Sequence, residues 1–157
     1  MNISTFDGPE ELLGFADRCD RALFSSGKHE FLFPTRCTGE NWRADEIKEL
    51  NKALLGTLKN AANVYAIFLN APAEGPEWVA MYVGQRKASG LRERITQHLI
   101  SKSHQTGSVL DRVKLAVSTG SKISLSFVNV RPDALRLYVE EVIIANHKQE
   151  LQWNKHG

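Results

Sequence analysis

Between Tyr82 and His98 the chain runs Tyr82-Val83-Gly84-Gln85-Arg86-Lys87 and then Gly90-Leu91-Arg92-Glu93-Arg94-Ile95-Thr96-Gln97-His98. Five basic residues (Arg86, Lys87, Arg92, Arg94, Lys102) stand against one acid, Glu93, between positions 86 and 102. Such a density of positive charge next to a tyrosine suits a phosphate better than a core. From Gly90 a helical pattern sets Leu91, Ile95 and Leu99 on one face, and brings Arg94 and His98, four apart, together on another. Three more features could carry chemistry: Tyr65 in an earlier apolar run, the adjacent acids Glu140 and Glu141 in a late apolar stretch, and Asn154 beyond them.

Each has a plainer reading. A strand tyrosine is ordinarily an amphipathic core residue with its hydroxyl at the rim. Arginine and histidine four apart on a helix are ordinarily a solvated face. Two acids among aliphatics are harder to set aside, and one of them is expected to point into a cleft.

The elements that must position these groups follow from periodicity. Val64 to Leu69 is a dense β-prone run, Ala71 to Pro76 a turn or loop, and Trp78 to Val83 a second strand, so the pair reads as an antiparallel hairpin that Gly84 closes. Alternation sets Tyr65, Ile67 and Leu69 on one side of the first strand and Tyr82 and Ala80 on one side of the second, so that the tyrosines can share a face. A helix from Gly90 to about Ser101, a loop at 103–107 and a helix over Val109 to Val117 come next. Ile123 to Val130 alternates as a half-buried strand, and Pro132-Asp133 opens a last helix to about Lys148. The order β-β-α-α-β-α is an α+β domain with a small, mainly antiparallel sheet, and it occupies residues 62–157.

Residues 1–61 read as a helical extension that packs on this domain or dimerises it. Pro9 to Phe24 predicts one helix, with Pro9 in its first turn, and Ala44 to Asn60 predicts another, with Ile47, Leu50, Leu54 and Leu58 at helical spacing. His29 to Arg36 suits a short extended segment limited by Pro34. The net charge of +2 divides unevenly: residues 1–61 sum to −2 and residues 62–157 to +4. The basic half is the half with the cluster.

A length of 157 residues with 42% hydrophobic and 24% charged side chains is ordinary for one globular domain. No apolar stretch approaches the roughly 20 residues of a membrane-spanning helix, and the start, with Asp7, Glu10 and Glu11, has no signal-peptide pattern. Cytoplasmic residence is the expectation. Cys19 and Cys37 lie too far from any histidine at metal-ligand spacing to suggest a zinc site, and both read as free thiols.

The order Asn63-Val64-Tyr65, Tyr82-Val83-Gly84, Arg94, His98, a late glutamate and Asn154 resembles the GIY-YIG nuclease family over residues 63–154, closest to its phage-endonuclease and restriction-enzyme branches. Two departures stand out. Asn63 takes the place of the first motif's glycine, and the connection between the tyrosines, with Pro72, Glu74, Gly75, Pro76 and Glu77, is longer than usual. The local pattern of an acid followed by Ile143 and Ile144 selects Glu140; the distance back from Asn154 favours Glu141; Glu140 is preferred.

What the resemblance implies is a metal-dependent DNA endonuclease. Glu140 would hold one hydrated Mg²⁺ or Mn²⁺. Tyr65 would activate or orient the attacking water with its phenol acidified by neighbouring cations, and Tyr82 would bind phosphate or relay the proton. Arg94 would fork onto the scissile phosphate. His98 would serve as base or phosphate contact, and Asn154 would brace the site. Arg86, Lys87, Arg92, Lys102 and His104 would bind the nucleic-acid backbone. Cutting both strands implies a homo-oligomer, and RNA stays open as a substrate. Restriction, phage or mobile-element DNA processing and defence are the roles in view, and the alternative is a non-catalytic nucleic-acid-binding module of the same fold.

Overall fold

Three seven-residue strands, each carrying β-branched and aromatic side chains, form the centre of the molecule. In a computed structural model that describes residues 2–25, 27–102 and 107–154, β2 (Val64–Asn70), β3 (Val79–Gln85) and β4 (Lys122–Val128) join the short β1 (His29–Phe31) in one sheet of order β1-β4-β2-β3, antiparallel throughout. Six helices flank it among the described residues: α1 (Pro9–Ser25), α2 (Ala44–Leu50), α3 (Lys52–Thr57), α4 (Leu91–Leu99), α5 (Leu110–Ser118) and α6 (Arg136–Asn146). The architecture is α+β, in the expected order from β2 to α6.

Alternation along the strands divides the core into two layers. Tyr65, Ile67, Ile123 and Leu125 face Leu91, Ile95 and Leu99 of α4 and Val113 of α5. Val64, Ala66, Phe68, Ala80 and Val83 face Ala16 and Leu23 of α1 and Val139 and Ile143 of α6. The residues before position 62 enter both layers: β1 lies beside β4, and α1 packs on α6.

Three elements differ from the periodic reading. The helix expected over Ala44 to Asn60 breaks at Asn51, which is buried; its side-chain amide bonds Leu32 N and Leu32 O, both at 2.8 Å, and also donates back to Ile47 O of the preceding turn at 2.8 Å. Gly84 does not close β3, which runs on to Gln85. Finally, Ala80 and Tyr82 face opposite layers. Ile67 pairs with Tyr82 and Phe68 with Ala80, so Met81 is an extra residue and the strand bulges there. That bulge turns Tyr82 onto the Tyr65 side while Ala80 packs in the other layer.

Asn51 is one of three asparagines that clasp a single residue's backbone. Asn63 does so at Val130 (N to Oδ1 2.7 Å, Nδ2 to O 2.8 Å) and Asn154 at Val83 (2.8 and 2.9 Å). An amide side chain carries the donor and acceptor of a peptide unit, so each stands in for a one-residue strand. Asn154 thereby covers part of the open edge of β3.

Candidate functional site

Tyr65 is placed by β2 with its ring over Gly84, its partner on β3. The bulge at Met81 brings Tyr82 alongside, with ring centroids 6.2 Å apart. On α4, the face that carries Leu91, Ile95 and Leu99 packs against the sheet and carries His98 inward with it; His98 is fully buried, not part of a solvated face. Its ring centroid lies 5.7 Å from Tyr65 and 5.0 Å from Tyr82. Tyr65 Oη and His98 Nε2 are 2.8 Å apart, and the Val109 backbone N–H donates to His98 Nδ1 over 3.1 Å.

Arg94, one turn before His98, is half-buried beside this pair, and its guanidinium hydrogen-bonds Tyr65. It also donates to Gln97 Oε1 (2.9 Å) and Gly107 O (3.4 Å).

The open edge of β3 supplies the rest. Asn154 holds Val83, between Tyr82 and Gly84. One alternation further on, the Gln85 backbone N–H donates to the carboxyl of Glu140, on α6. Glu140 is half-buried whereas Glu141 is exposed, so of the two acids Glu140 faces the cluster. Its helix is anchored through Asn63: the Asn63 amide donates to Asp133 Oδ1 (2.9 Å), Asp133 pairs with Arg136, and Arg136 Nε donates to Gln85 Oε1 (2.8 Å).

The electrostatics follow from burial. The Tyr65 phenol sits well above its usual pKa, first because it is buried and then because of Tyr82; the charge and hydrogen bond of Arg94 pull the other way, and Glu140 adds to the rise. The acidified phenol expected from neighbouring cations is therefore reversed, since desolvation outweighs them. His98 is lowered to about 3 by burial, then by Arg94 and Arg86, so its ring is neutral. Glu140 is raised to about 7 by burial and then by Glu141, opposed by the Gln85 amide.

Among the described residues no three His, Cys, Asp or Glu side chains gather as a metal cage. Glu140 alone suits a hard cation that keeps most of its waters, since Mg²⁺ is commonly held by one or two carboxylates. A half-buried carboxylate at about 7 beside a second acid is stabilised by such a charge.

Of the expected backbone contacts, Arg86 and Lys87 are exposed on the turn after β3, and Arg86 acts on His98 through its charge. Arg92 lies two residues from Arg94 and so about 200° around α4. It lines a groove of about 730 Å³ with Lys48, Lys52 and Leu55, apart from the tyrosines. Lys102 pairs with Asp111 at 3.8 Å. His104 lies outside the described residues. Three contributors carried no periodic signal: Gln85, Val109 through its amide, and Asn63 as an anchor for the start of α6; only Asn63 was marked, as a departure from the family motif.

Cys19 and Cys37 are buried free thiols, and no described helix is long and apolar enough to cross a membrane. No protein-family model, curated protein or solved structure matches this chain.

Proposed function

We propose that the chain is a divalent-metal-dependent endonuclease that hydrolyses phosphodiester bonds in DNA with a GIY-YIG-like site. The observation that carries the reading is the convergence of Tyr65, Tyr82, Arg94 and His98 on one face of the sheet, with Glu140 near enough for its charge to act on Tyr65. These residues come from β2, β3, α4 and α6, and they are the ones that the resemblance to the family selects.

Arg94 offers its guanidinium to the scissile phosphate, where negative charge builds in the transition state. Tyr65 faces the attacking water and orients it through its hydroxyl. Tyr82, partly exposed beside it, contacts a phosphate oxygen. Glu140 would hold hydrated Mg²⁺ or Mn²⁺, which would supply positive charge to offset the negative charge of the departing oxygen. Asn154 keeps Tyr82 and Gly84 in register by holding Val83 between them. Arg86 and Lys87 take the flanking phosphates. Cutting both strands takes two such sites, so two copies act together; a monomer by light scattering on cleaved duplex overturns that part.

The test is plasmid cleavage with Mg²⁺ or Mn²⁺ by the wild type, Arg94→Ala, Glu140→Gln and Glu141→Gln. Wild type and Glu141→Gln cut, and the other two fall by about 10²- to 10³-fold. A wild type that binds DNA and RNA without cutting either replaces this reading with a non-catalytic binding module.

A further inference from the structure

We infer that His98 is a fixed hydrogen-bond donor to Tyr65 and takes no proton during the reaction. The inference rests on the nuclease reading only for the identity of the reaction; the donor assignment itself comes from two hydrogen bonds. The Val109 backbone N–H donates to His98 Nδ1 over 3.1 Å, and a backbone amide cannot reverse its role. Nδ1 is therefore the bare nitrogen, and the neutral ring carries its hydrogen on Nε2. Nε2 lies 2.8 Å from Tyr65 Oη, so that contact is a donation from histidine to tyrosine.

Both ring nitrogens are then occupied, one by the Val109 amide and the other by its own hydrogen. Nothing on His98 is left to accept a proton from the tyrosine or from a water. The groups facing it are Tyr65, Tyr82, Arg94 and Arg86, two phenols and two cations; burial and then the two cations favour the neutral ring. Tyr65 Oη meanwhile receives a second donor, the Arg94 guanidinium. Negative charge on that oxygen would find both already aimed at it. His98 is thus a positioning residue that acts through Tyr65, where it had been expected as base or phosphate contact.

Long-range ¹⁵N NMR of the wild-type protein reads the assignment without any cleavage. Nδ1 shows the shift of an unprotonated imidazole nitrogen and Nε2 that of a protonated one, both constant from about pH 5 to 8, the range in which an ordinary histidine titrates. A hydrogen on Nδ1, or a titration in that range, overturns the inference. Cleavage gives the second readout. His98→Gln, which retains an N–H donor, keeps activity within about tenfold, whereas His98→Ala loses about 10²-fold or more. Equal losses in both variants, with the fold intact by circular dichroism, make His98 the base and overturn the donor role. A wild type that cleaves nothing overturns the nuclease reading instead, while the nitrogen shifts still decide the donor assignment.

Discussion

The ring of Tyr65 lies directly over Gly84, its cross-strand partner. A Cβ at Gly84 would fall 2.5 Å from Tyr65 Cζ and 2.9 Å from Tyr82 Cε1. Both are far inside van der Waals contact, and the obstructing atoms belong to rings wedged between the sheet and α4. Gly84→Ala therefore displaces one tyrosine or parts the strands. The expected cost is about 1–3 kcal/mol, read as a lower denaturation midpoint. Cleavage falls further than DNA binding does, because Arg86 and Lys87 are untouched. An unchanged midpoint and unchanged cleavage would refute this account of the glycine.

Glu140 gives stability a pH dependence. Burial raises its carboxyl to about 7 in the folded protein against an ordinary value of 4.5. Across that interval the folded state holds a proton that the unfolded state has released, so stability declines as pH rises from about 4.5 to about 7 and then levels off. Discounted for partial exposure, the decline is about 1–2 kcal/mol. Glu140→Gln removes it, so the variant melts above the wild type beyond neutral pH and matches it in acid. Added Mg²⁺ above pH 7 raises the wild-type melting temperature and leaves that of the variant unchanged. Equal responses to Mg²⁺ would detach the ion from this carboxylate.

Asn63 occupies the place where the resembling family has a glycine, yet its side chain is fully engaged. It bonds Val130 N, Val130 O and Asp133 Oδ1. Restoring the family residue with Asn63→Gly strips those three bonds from a buried junction and costs about 2–4 kcal/mol by chemical denaturation. The start of α6 loosens with it, so Glu140 is held less firmly and the Mg²⁺ concentration for half-maximal cleavage rises. A variant as stable as the wild type would show that the motif position tolerates either residue.

Local periodicity carried most of this fold. The spacing of Leu91, Ile95 and Leu99 corresponds to a helix with its apolar side inward, whereas β4, which alternation marks as half-buried, lies between two layers and buries Ser124 and Ser126 as well. What periodicity could not carry was decided by partners distant in sequence. The helical pattern runs through Asn51 without interruption, and it does not show that this side chain pairs with Leu32, nineteen residues earlier, as well as with Ile47 O. His98 stands three residues after Ile95 and seven after Leu91, so helical spacing already sets it on the buried face; what the spacing could not show is that its ring nitrogens meet Tyr65 and the Val109 amide. The same limit applies to charge: the acidified phenol that the resemblance implied is reversed by burial, because a sequence displays charges but not the loss of water around them. Tyr65, Tyr82, Arg94 and Glu140 were legible as a group through the family motifs, whereas Gln85 and Val109 act through backbone groups that every residue possesses.

The extra residue at Met81 lies between the connection at 71–78 and the pair Tyr82 and Gly84. Beyond it, Val83 is clasped by Asn154 and Gly84 lies under Tyr65, so the site end of β3 keeps its own frame. Insertions and deletions in the connection are absorbed before they reach the tyrosines. The loss of one residue at position 81 instead rotates everything on one side of it by half a turn. The molecule thus has a stretch where length is free and a single point where it is counted, and lineages that lengthen or shorten the hairpin are expected to do so on the far side of that point.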